Sequence, residues 1–61
     1  MIDLVIDNGG KLERIENLTL KELGNKLSEL GKRYFLMFET VRNVDPAIGF
    51  TLYIAVAERD R

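Results

Sequence analysis

Two neighbouring segments, Arg33-Tyr-Phe-Leu-Met-Phe-Glu-Thr-Val-Arg42 and Phe50-Thr-Leu-Tyr-Ile-Ala-Val-Ala-Glu-Arg59, limit what this chain can fold into more than any other feature. Each reads as a β-strand with apolar side chains on both faces. The remaining sequence offers one amphipathic helix, which can shelter one face of a sheet and leaves the other open. A sheet with two apolar faces and one cover needs a partner.

Size makes that need sharper. Sixty-one residues form one small domain, 1–61. At a conformational cost of roughly 1.5 kcal/mol per residue, the folding balance of so short a chain lies near zero without further support. Cysteine and histidine are both absent, which removes disulfides and the usual zinc ligand sets. Metal binding would rest on carboxylates alone and would favour Ca²⁺ or Mg²⁺. Self-association is the support that remains.

The first strand is written in Ile2, Leu4 and Ile6 alternating with Asp3, Val5 and Asp7. Asn8-Gly9-Gly10 then marks a hairpin, with Asn-Gly supplying the positive φ angles of a tight turn. In the returning segment Lys11–Asn17, Leu12 and Ile15 are three apart, and a bulge near Glu13-Arg14 would bring them to one face. Thr19-x-x-Glu22 is a capping box, and Leu18 with Leu23 forms a hydrophobic staple. Leu20, Leu23, Leu27 and Leu30 make the apolar stripe of a helix that Gly31 closes as a left-handed cap. Gly24 on that stripe suggests close approach to the sheet, and Glu22 is spaced to pair with Lys26. Asp45-Pro46 opens the turn between the last two strands. The order is β-β-α-β-β, which predicts an α+β domain: an antiparallel four-stranded sheet with one helix packed on one face.

Pairing the even positions of the last two strands gives a consistent core: Tyr34, Leu36 and Phe38 with Phe50, Leu52, Ile54 and Val56, joined by Ile2, Leu4 and Ile6. The opposite face then holds Phe35, Met37, Glu39, Val41, Tyr53 and Ala55, with Ala57, and these are the candidate partner or dimer interface. A one-residue shift in the hairpin would exchange the two faces. Large contiguous apolar patches commonly mark interfaces, so the expected partners are a second copy of the chain, as a homodimer, and another protein.

Chemistry finds little foothold. Ser28 is the one serine and has no histidine or cysteine to activate it. Asp3, Asp7, Glu13 and Glu16 could gather on the first hairpin, but two-carboxylate catalysis also needs a water-excluding pocket. Asn8-Gly-Gly-Lys11 lacks the glycine spacing of a phosphate loop. Asp45 lacks the regular oxygen ligands of a calcium loop. No enzyme activity, cofactor or metal is expected.

The second reading is a nucleic-acid-binding module, in which Lys32, Arg33, Arg59 and Arg61 form a basic corner beside strand aromatics. A net charge of −1 gives no long-range attraction to phosphate. No apolar run reaches the ~20 residues of a membrane span, and the acidic N-terminal segment does not read as a signal peptide. These features lead to the expectation of a cytoplasmic, non-enzymatic protein–protein interaction module that self-associates through an apolar sheet face and acts as a small regulator or inhibitor of a larger protein.

Overall fold

A computed structural model describes residues 1–59. The elements are β1 (Ile2–Asn8), β2 (Lys11–Leu18), α1 (Leu20–Arg33), β3 (Tyr34–Asp45) and β4 (Gly49–Glu58). They form an α+β domain with one helix and a four-stranded sheet of order β2-β1-β4-β3. The sheet is mixed and not fully antiparallel: both hairpins are antiparallel, but β1 and β4 run parallel from Ile2↔Phe50 to Asn8↔Val56.

The parallel pair follows from which strands are apolar enough for the centre. Chain direction alternates through β1, β2, α1, β3 and β4, so the first and last strands point the same way. An all-antiparallel sheet that kept both hairpins would instead have to centre β3 beside β1, with Glu39 and Arg42, or β2 beside β4, with Lys11, Glu13, Arg14 and Glu16. Burying an unpaired charge is far more costly than giving up antiparallel geometry. Leu4, Ile6, Leu52, Ile54 and Val56 are buried, and on the opposite face of the two central strands so are Val5 and Thr51.

Leu23 joins Ile2, Leu4, Ile6, Leu52, Ile54 and Val56 in the core cluster, with Ile15, Leu18, Leu27, Leu30, Tyr34 and Phe50 packed around it. Leu20 is exposed and lies outside the cluster. The capping box is present: Glu22 N–H donates to Thr19 Oγ1 at 3.1 Å, and Thr19 N–H donates to the Glu22 carboxylate at 2.8 Å. That second bond points Glu22 back toward the helix start and away from the expected partner Lys26. The helix runs through Gly31 to Arg33 and passes directly into β3 at Tyr34, whose backbone is extended. Gly31 is therefore no left-handed cap. Gly24 does not mark a close approach either, since a Cβ there would meet nothing within 4 Å.

Three irregularities set the faces. The tight turn centres on Gly9 and Gly10, at φ 62° and 93°, one residue later than Asn-Gly suggested, and Asn8 pairs with Lys11. The β2 bulge falls after Ile15, where Asn17 takes φ 61° and returns Leu18 to the side of Ile2. Leu12, opposite Asp7, and Ile15, opposite Leu4, consequently lie on different faces. In β3, Leu36 pairs with Val56 and Phe38 with Ala55, so Met37 is an extra residue. Beyond it the two faces of β3 exchange.

Candidate protein-interaction surface

The sheet face away from the core cluster is built from alternate residues of all four strands. Asp3, Val5 and Asp7 come from β1, with Leu12 and Arg14 opposite them on β2. Thr51, Tyr53, Ala55 and Ala57 come from β4, and Phe35, Phe38, Thr40 and Arg42 from β3. Of the expected interface residues, Phe35, Tyr53 and Ala55 share this open face and Met37 sits at the bulge. Glu39 and Val41 lie on the other side, opposite Ile54 and Leu52. Phe38, expected in the core, is on the open face instead.

Exposure concentrates on β3, which is also a free sheet edge. Phe35 is 51 %, Met37 62 %, Phe38 64 % and Val41 52 % exposed. On the helix side, Glu39 and Val41 remain uncovered although they stand opposite core residues of β4. The first five positions of β3, Tyr34 to Phe38, carry no charge at all. The other edge strand, β2, carries Lys11, Glu13, Arg14 and Glu16 in eight residues.

Three arginines stand over aromatic rings: Arg59 over Phe35 at 4.7 Å, Arg42 over Tyr53 at 4.9 Å and Arg33 over Tyr34 at 5.5 Å. Arg59 Nη2 also donates to the Gly31 carbonyl at 2.6 Å. The basic corner does bring Arg33 and Arg59 to the same end of the sheet, but each already holds an intramolecular ring. Arg61 lies outside the described residues.

The first-hairpin carboxylates do not converge. Asp3 accepts from Arg14 Nη2 at 2.8 Å and from Asn17 N–H at 3.2 Å, which ties the β2 bulge to β1. Glu16 accepts from Arg14 Nε at 3.0 Å, and Asp7 from Gly10 N–H at 3.0 Å in the turn. Glu13 stands opposite Ile6 on the helix side. The hydrogen bond to Glu16, with the charges of Asp3 and Glu16 added, raises the Arg14 pKa above its ordinary value. Among the described residues no three acidic groups are placed to hold a metal ion.

Surface concavities are small. A depression of about 180 Å³ on the open face is lined by residues including Val5, Leu12, Phe38 and Tyr53. Another concavity among the described residues, beside Met1 and Asn43, holds about 320 Å³. Enclosed small-molecule sites span roughly 300–1,000 Å³, so this concavity lies at the lower limit of that range. Among the described residues no helix is long and apolar enough to cross a membrane.

The β3 bulge was the signal that pattern reading missed. Residues 34–38 are apolar at every position, so no alternation betrays an inserted residue. No family model matches this chain, and no curated protein or solved structure resembles it at a significant level.

Proposed function

We propose that this chain is a non-enzymatic protein–protein interaction module that associates with its own copy through the apolar surface of β3 and the open sheet face. Phe35, Met37 and Phe38 carry the reading: three large apolar side chains, each more than half exposed, crowded at one end of an edge strand. Burying such a side chain is worth roughly 1.5–3 kcal/mol, a large gain for a domain whose own stability is marginal. The helix, through Leu23, Leu27 and Leu30, serves as cover for the opposite face. Such a module suits a small regulator or inhibitor of a larger protein, with the same strand as its contact.

The test is substitution on the two sides of the sheet. Phe35→Asp or Met37→Asp should weaken self-association at least tenfold, seen as a dimer-to-monomer shift in light scattering, with helical circular dichroism unchanged. Leu27→Asp should unfold the domain. If both classes behave alike, the division into a core side and a contact side is wrong. Binding to single-stranded oligonucleotides at low salt, lost as salt is added, would favour the nucleic-acid reading of Lys32, Arg33 and Arg59 instead.

A further inference from the structure

We infer that the occupant of the free edge is β3 of a second copy, paired antiparallel about a two-fold axis through Thr40, so that the two sheets become one. The inference rests on the self-association reading above and specifies its geometry.

The two edges of the sheet differ in kind. Natural edge strands are blunted by charge, proline or bulges that prevent pairing. β2 has four charged residues and a bulge at Glu16–Asn17. β3, twelve residues long, has a proline only after its end and no charge before Glu39, and its own irregularities, at Met37 and at Asn43–Val44, leave the stretch Phe38 to Arg42 regular between them. Pairing β3 with β2 of a second molecule would generate an open-ended fibre, and the charges on β2 oppose it. Pairing β3 with itself closes after two copies.

Symmetry and charge then select the register. A two-fold axis normal to the sheet keeps each residue on its own face, so one residue must stand opposite itself. Between the bulge at Met37 and the irregularity at Asn43–Val44, the regular stretch is Phe38 to Arg42. Its middle residue is Thr40. Centring there sets Thr40 against Thr40, a favourable cross-strand pair, and places Phe38 opposite Arg42 twice over. Arg42 already lies over Tyr53 at 4.9 Å, so the second copy's Phe38 would add another aromatic neighbour to the same guanidinium. Leu36 comes near Val44 of the second copy, and the two irregularities face each other. Centring on Glu39 would oppose two like charges. Centring on Phe38 or Val41 pushes a bulge into the pairing. The Thr40 register alone uses the full regular stretch without a charge conflict.

Because the chain has no cysteine, a single introduced thiol reports proximity without background. In the inferred dimer, paired Cβ atoms at position 40 lie about 4.5–5.5 Å apart, within reach of a disulfide. Position 55 on β4 is three strand spacings across the sheet and four residues along it from its counterpart, about 20 Å in all. Thr40→Cys and Ala55→Cys variants, folded by circular dichroism, are oxidised at concentrations where the unmodified chain associates. Thr40→Cys should double the 7.0 kDa mass on a non-reducing gel, and Ala55→Cys should not. Cross-linking at position 55 alone would overturn the edge geometry in favour of face-to-face packing and leave self-association standing. Cross-linking at both positions, or at neither in a chain that still dimerises, also overturns the edge geometry. A chain that stays monomeric overturns both readings.

Discussion

Gly49 sits where three constraints meet. Its φ is +137°, a region that side-chain-bearing residues rarely adopt, and an added Cβ would collide with the backbone carbonyl of Met1. The close approach lets Phe50 N–H donate to the Met1 carbonyl at 3.2 Å and starts the parallel β1–β4 ladder. Gly49→Ala should therefore lower stability by about 2 kcal/mol or more, read as a fall in the urea midpoint; an unchanged midpoint would mean the ladder does not begin there. Asp3 holds the same end of β1 on its other edge, bridging Arg14 and the Asn17 backbone of β2. Asp3→Ala should cost about 1 kcal/mol and loosen amide protection at Asn17. Full protection at that amide after the substitution would show that another group fixes the bulge. Nothing in the local pattern singles out Gly49 or Asp3 for these roles, because both act across the sheet on residues distant in sequence.

At the scale of elements, α1 is set by its start more than by its end. Thr19 and Glu22 satisfy each other's backbone donors, while the last turn holds Lys32 and Arg33, whose charges favour the C-terminal end of the helix dipole. Thr19→Ala should remove about 1 kcal/mol, lowering the thermal midpoint by about 4–8 °C for a domain of this size. A midpoint that does not move would show that packing at Leu23 alone holds the helix. The capping box was legible because its signal is local: two residues at fixed spacing before an apolar run. The first hairpin and the alternation of β1 were legible for the same reason. The faces of β3 were not. Tyr34 to Phe38 offers a hydrophobic side chain to either face, so the sequence is indifferent to whether Met37 is in step or extra, and only pairing with Val56 and Ala55 decides it. That decision moved Phe38 onto the open face and Glu39 and Val41 off it. The parallel neighbours β1 and β4 were hidden for a different reason. Strand order is a competition for the centre of the sheet, settled by how little charge β1 and β4 carry compared with β2 and β3.

The whole molecule is a sheet with unequal edges. β2 presents charge to solvent, and β3 presents Phe35, Met37 and Phe38. A strand of that composition with one free edge, its first five residues uncharged, is an aggregation hazard unless something occupies that edge. In the proposed dimer a copy of the same strand would remove the hazard and add stability to a small core. Phe38→Lys, which sets like charges opposite each other at Arg42 of the second copy, should therefore weaken association at least tenfold, although alternation alone would have placed Phe38 in the core and made the same substitution unfold the chain. Circular dichroism of the monomeric variant separates these outcomes: retained helix supports the exposed position, and loss of helix contradicts it.

Sedimentation equilibrium of the unmodified chain across a concentration series tests self-association most directly. The expected result is a mass approaching twice 7.0 kDa in the micromolar range, falling toward the single-chain value on dilution. A single-chain mass maintained up to millimolar concentration would contradict it, because the apolar surface of β3 would then be stable in water without a second copy.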